Sequence, residues 1–178
     1  VVALSAETGI PMWGQRVAQP TGRSELERMV DIDGRLLLDD QTLYVVSYQG
    51  NVAALDAQSG RPLWQHAASS YTGPGAGFGS VYISEADGTV QALDAGSATE
   101  LWSTEALARR QLTAPVAFSN FVAVGDYEGY LHLLAQTDGR MAGRVRVDGD
   151  GLRAAPLTVG DLLFVYGNSG DLAAYKLK

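Results

Sequence analysis

A unit of about forty residues recurs along this chain, and a repeat of that length constrains the fold more than any other feature. VVALSAETGIPMW (1–13), NVAALDAQSGRPLW (51–64), TVQALDAGSATELW (89–102) and YLHLLAQTDGRMAG (130–143) align on Leu4, Leu55, Leu93 and Leu134. Five residues on stand Gly9, Gly60, Ala98 and Gly139; nine residues on stand Trp13, Trp64, Trp102 and Gly143. DLAAYKLK (171–178) is a fifth copy. Gly50, Gly88, Gly129 and Gly170 close the β-rich runs LYVVSYQG, VYISEADG, VAVGDYEG and LFVYGNSG, at intervals of 38, 41 and 41. Each period reads as four short strands separated by turns, which describes one blade of a β-propeller. Helical solenoids of similar period need two amphipathic helices of ten or more residues, and here a turn falls every five to eight.

The expected fold is therefore all-β, with four-stranded antiparallel blades. Residues 1–18 are expected to supply the last two strands of a blade, and 19–35 a loop with a short helix. Complete blades are expected at 36–68, 76–104 and 115–147, and a partial one at 154–178. The helix rests on SELERMV (24–30), where Ser24 and Glu27 form a capping box and Leu26, Met29 and Val30 share a face. Thr104 to Arg110 is expected to make another turn.

Composition narrows the function classes. The 178 residues carry 13 Lys+Arg against 20 Asp+Glu, a net charge of −7, and no basic cluster to neutralise phosphates, which weighs against nucleic acid. Hydrophobic residues at 46% can fill a core, yet no apolar run approaches the ~18 residues of a spanning helix. Cysteine is absent, which rules out a disulfide scaffold. There is no initiating Met, charged-then-apolar leader or lipid-acceptor Cys, so any export signal is expected to lie outside this sequence.

The repeated residues have structural readings. Trp13, Trp64 and Trp102 suit blade-to-blade packing as flat side chains wedged between sheets. The repeated glycines, Gly50, Gly88, Gly129 and Gly170 among them, are expected to supply positive φ in tight turns, while Asp56 and Asp94 hydrogen-bond turn amides. Tyr127 and Tyr130 flank the Gly129 turn, offering an aromatic contact or packing. Other motifs fail. D-x-D-G at Asp31–Gly34 and Asp148–Gly151 lacks the Glu that a calcium loop carries at its twelfth position, where Thr42 and Val159 stand. The glycine-rich run at 73–79 has no Lys or following helix pattern for phosphate, and reads as a flexible inter-blade loop. His66 and His132 lie in different repeats with no cysteine or acidic cluster, and read as locally satisfied strand residues. No catalytic residue, metal site or cofactor is expected.

ALDAQSGRPLW and ALDAGSATELW resemble the A-x-D-x-x-T-G-x-x-x-W repeat of pyrroloquinoline-quinone-type propellers. More specifically, VVALSAETGIPMWGQRVAQPTG, SELERMVDIDG, LYVVSYQGNVAALDAQSG, LTAPVAFSNFVAVGDYEGYLHLL and GDLAAYKLK are similar to the carboxy-terminal half of the BamB family, over essentially the whole chain. The resemblance implies about half of an eight-bladed ring, roughly four blades; a full ring would need roughly 320 residues at this period. It implies a non-enzymatic scaffold of the outer-membrane β-barrel assembly machinery, lipid-anchored at the periplasmic face, which binds the periplasmic domains of BamA and helps outer-membrane proteins fold and insert. The anchor would lie outside this chain. The family's S-D-V-D loop is matched by Val30-Asp31-Ile32-Asp33, which makes Asp31 and Asp33 the implied BamA contacts. The family's following Thr-Thr-Pro is replaced by Gly34-Arg35-Leu36, and its L-S-L-R loop would precede residue 1.

From chemistry alone, alternation around Ile32 projects both carboxylates to one side, where they can receive an arginine; the structural alternative is a solvated turn at a blade entrance. Two other functions stand beside the scaffold: a quinone-dependent dehydrogenase, whose family often carries an adjacent-cysteine pair, and a general peptide-binding propeller. Outer rim strands could also accept unfolded outer-membrane strands by β-augmentation. A ring cut open leaves two sheet edges, so self-association or an open arc is expected of this chain.

Overall fold

The computed structural model describes residues 1–19, 24 and 30–177, and among them there are seventeen strands and no helix. The strands fall into five antiparallel sheets in chain order. The first pairs β1 (Val2–Leu4) with β2 (Pro11–Gly14). Three four-stranded meanders follow. The first comprises β3 (Leu37–Asp39), β4 (Thr42–Val46), β5 (Gly50–Asp56) and β6 (Pro62–Ala68). The second comprises β7 (Gly75–Gly77), β8 (Ser80–Ser84), β9 (Val90–Asp94) and β10 (Glu100–Thr104). The third comprises β11 (Val116–Phe118), β12 (Phe121–Gly125), β13 (Tyr130–Ala135) and β14 (Met141–Arg146). A three-stranded sheet of β15 (Leu157–Val159), β16 (Leu162–Tyr166) and β17 (Leu172–Lys176) closes the series. The first strands β3, β7, β11 and β15 touch in succession and so form the inner edge of the arc.

Burial follows from the packing of sheet on sheet. Every residue of β8 is buried, because its sheet has a neighbour on both faces. One core cluster joins Tyr82, Val90, Ala92 and Trp102 to Val122, Val124 and Leu134 of the next sheet. Equivalent clusters lie before and after it.

The outer strands share a device. In each of the first four sheets the pairing slips by one residue just before the tryptophan position, between Ala3/Leu4, Ala54/Leu55, Glu100/Trp102 and Leu133/Leu134. A bulge at that point turns the outer strand so that its next inward side chain leans toward the following sheet. The indole N–H groups then cross to that sheet: Trp13 donates to the Ala57 carbonyl at 3.1 Å, Trp64 to Ala95 at 2.8 Å and Trp102 to Gln136 at 2.7 Å.

Three expectations are corrected or fall outside view. The glycine-rich run is not a loop: Gly75–Gly77 is strand β7, where a Cβ on Gly75 would strike the Pro115 carbonyl and one on Gly77 the Ala117 side chain. Inner strands crowd together near the axis, and glycine permits it. Gly50 does not supply positive φ. Gln49 does, at 51°, while Gly50 makes room for the Ser47 side chain. The helix expected at 24–30 lies, apart from Ser24 and Val30, outside the described residues. Thr104 to Arg110, the other segment expected to be helical, begins at the end of β10 and continues as a turn and not a helix, with the Ala108 amide donating to the Glu105 carbonyl.

Candidate functional site

In a four-stranded meander the second-to-third hairpin and the connection into the blade emerge at the same end. One backbone bond ties them together in each of the four sheets from β3 onward. Tyr48 donates to Asp31 O (2.8 Å), Ala86 to Ser69 O (2.8 Å), Tyr127 to Arg110 O (3.1 Å) and Asn168 to Gly151 O (3.0 Å). The main chain at Asp31 is thus fixed by the architecture, while the side chain there varies from Asp to Ser, Arg and Gly. Two residues further on, the equivalent positions are Asp33, Tyr71, Leu112 and Arg153. The end face of the arc is built from these entrance loops and hairpins.

Asp31 and Asp33 both point to solvent, and Ile32 between them packs with Val17, Val45 and Leu55. The Asp31 carboxylate accepts from the Ile32 amide at 2.7 Å. Beside them, Tyr48 and Tyr71 stack with ring centroids 4.3 Å apart and planes 21° from parallel. Their hydroxyls hydrogen-bond, which holds Tyr71 above and Tyr48 below the usual phenol value, and the charge of Asp33 adds to the rise at Tyr71. Gly34 passes so close to Thr72 and Gly73 that a Cβ would overlap their backbone. The acidic segment and the aromatic pair therefore form one surface. The sequence pointed to the two aspartates; the tyrosines, 23 residues apart, had no spacing signal to join them.

A second polar constellation escaped the sequence reading. Asp126, fully buried, takes His132 Nε2 at 2.8 Å, Arg110 Nη1 at 2.7 Å, and the amides of Glu128 and Tyr130. Burial pushes its carboxyl up, but the bonds from His132, Tyr130 and Arg110 outweigh that, and its pKa falls below the ordinary 3.8. Glu85 and Gln91 occupy the same repeat positions one blade earlier and pair at 2.9 Å. There burial wins, and the Glu85 carboxyl is raised. In the last sheet Gly167 stands at that position, and Asp148 reaches in from the entrance loop to take Ser169 Oγ at 2.5 Å. The repeat alignment carried this signal, since Glu/Gln and Asp/His change together at positions six apart. These pairs stitch hairpins, and His132 is held within its own hairpin, although its Nδ1 has no partner. Among the described residues no group of three or more His, Cys, Asp or Glu is arranged to hold a metal ion.

Further along the same face lies a cleft of about 650 Å³, lined by Tyr71, Glu85, Leu112, Tyr127, Leu152 and Arg153 among others. Tyr71 belongs to both the aromatic pair and this cleft.

The family model described as outer membrane protein assembly factor BamB matches residues 1–104 and 86–178. A BamB from Pseudomonas aeruginosa is 60% identical over the whole chain, and one from Xanthomonas campestris is 43% identical over 98% of it. The chain covers 47% and 43% of these two proteins, so it spans about half the length of the curated relatives it matches. The crystal structure of BamB from Moraxella catarrhalis superposes with a TM-score of 0.90 at 30% identity, covering 99% of this chain and 52% of that one. A quinohemoprotein alcohol dehydrogenase from Comamonas testosteroni shares the fold at a TM-score of 0.62 and 17% identity. The five sheets are thus about half of a β-propeller, and the chain belongs to the outer membrane protein assembly factor BamB family.

Proposed function

We propose that this chain is part of a non-enzymatic scaffold subunit of the outer-membrane β-barrel assembly machinery. In this reading it works at the periplasmic face of the outer membrane, lipid-anchored in the full-length protein, and assists folding and insertion of outer-membrane proteins. Asp31 and Asp33 dock the periplasmic domains of BamA by receiving basic side chains, since a carboxylate takes a guanidinium through two parallel hydrogen bonds. One observation carries the assignment of these two residues. The Asp31 backbone is held by a bond that recurs at the four blade entrances, yet Asp31 and Asp33 are both exposed, on either side of a part-buried Ile32. Fixed backbone with outward charge is preorganised for a partner and adds little to the fold.

The test is capture of BamA periplasmic domains by the full-length protein and by its Asp31→Ala, Asp33→Ala double variant. Capture is expected to weaken while the thermal midpoint stays put, because alanine retains the Tyr48 bond to the residue 31 carbonyl. Undiminished capture would remove the aspartates from the interface. The dehydrogenase alternative is motivated only by the shared fold, and turnover of an alcohol with added pyrroloquinoline quinone and calcium would establish it.

A further inference from the structure

The chemistry of the end face changes in a fixed order along the arc. At the positions two residues beyond each entrance-loop bond stand Asp33, Tyr71, Leu112 and Arg153, and the hairpin residues that donate those bonds are Tyr48, Ala86, Tyr127 and Asn168. The face thus runs from acid with aromatic, through apolar with aromatic, to base with amide. One backbone bond recurs at each of these entrances, while the side chains around it change.

The middle of the run is concave. The ~650 Å³ cleft has the size of a ligand pocket. Tyr71 and Tyr127 on its walls are 50% and 49% exposed, while Leu112 and Leu152 beneath are buried. Half-exposed rings above a buried apolar floor are what an incoming apolar side chain needs. One wall is held in an uncommon backbone state: Arg109 and Gln111 have φ of 64° and 48°. Two non-glycine residues in the left-handed region within three positions mark a loop whose shape is imposed by its surroundings. Gln111 also lines the cleft, and its amide can both donate to and accept from a passing main chain. On the far wall the Arg153 guanidinium is solvent-exposed and has no acidic partner among the described residues.

We infer that an extended segment of the partner lies across these consecutive entrances, its cation at Asp31 and Asp33, its apolar side chains in the Tyr71–Tyr127 cleft, and its anion at Arg153. The inference rests on the docking role proposed for the aspartates and extends it to the partner's chemistry and reach. Sheets packed about 10 Å apart put the first and fourth entrances about 30 Å apart, the span of about nine extended residues.

The probe is an acetylated, amidated nonapeptide with Arg at one end, Glu at the other and alternating Ser and Leu between, titrated into the full-length protein. Peptides with Arg at both ends or Glu at both ends serve as controls; reversing the order would not, because an extended chain can lie in either direction. The mixed peptide is expected to bind best, and Arg153→Glu and Tyr127→Ser each to weaken it about tenfold. Arg153→Glu should in turn favour the peptide with Arg at both ends, a gain that a misfolded variant cannot produce. Equal affinity for all three peptides, no binding, or no reversal with Arg153→Glu would overturn the inference. Should the Asp31, Asp33 double variant lose BamA capture while Arg153→Glu and Tyr127→Ser keep it, the aspartate reading stands and the extended footprint falls.

Discussion

Ala98 occupies a position that the other repeats fill with Gly9, Gly60 and Gly139, and it adopts the same left-handed backbone, φ 61°, against 69°, 72° and 69°. An L side chain there costs about 1–2 kcal/mol, partly offset by the lower entropy of alanine in the unfolded chain. Ala98→Gly is expected to raise stability by about 0.5–1 kcal/mol in urea denaturation. Gly60→Ala should lower it by about 2 kcal/mol, because the added methyl also meets the Trp13 ring. Asp126 supplies a pH prediction. Its folded pKa lies below the ordinary 3.8, so its contribution is present above that value and is lost as the pH falls through the lowered one. Asp126→Asn should cost about 2–3 kcal/mol at neutral pH and flatten the stability profile below about pH 4. Much of this scale was legible in the sequence: turn glycines announce themselves by chirality, and Asp56 and Asp94 do bind the Ser59 and Ser97 amides, at 2.7 and 2.8 Å. Gly50 was misread because the strain can move to a neighbour, here Gln49, without changing the turn's sequence signature.

At the scale of elements, the tryptophan peg depends on the bulge before it. The extra residues Met12, Leu63 and Leu101 are pushed outward and exposed, and each following indole enters the next sheet. Trp64→Phe keeps a large ring but loses the bond to Ala95, so a cost of about 1–2 kcal/mol is expected in the urea midpoint. A variant as stable as the parent would show that ring packing alone joins the blades. Periodicity revealed the strands and the tryptophan spacing because both follow from local pattern. It gave no sign of the bulges or of β7, since a glycine run looks like a loop until neighbouring inner strands are known to press against it.

Across the whole molecule, exposed apolar side chains gather on the first and last sheets. Val2, Leu4 and Ile10 at one end and Leu157, Val159 and Leu172 at the other all lie above half exposure. These are faces that an adjoining blade would cover, so the 178-residue chain in isolation is expected to self-associate, with light scattering showing a mass that grows with concentration. A mass that stays monomeric at every concentration would contradict this. The arc was legible from the repeat count, whereas the aromatic and polar progression over its end face was not, because it arises from residues about forty positions apart that only folding aligns.

The indole bonds all run one way, from an earlier sheet to the turn of a later one. Removing a blade on the amino-terminal side bares a carbonyl that water readily satisfies; removing one on the carboxy-terminal side bares an aromatic ring and its donor. The two flanks of any break in the arc are therefore unequal. On a ribosome, each emerging sheet that carries a tryptophan must wait for another 31 to 44 residues before its outermost aromatic group finds its acceptor. The β11–β14 sheet, with Gly143 in place of tryptophan, has no such wait.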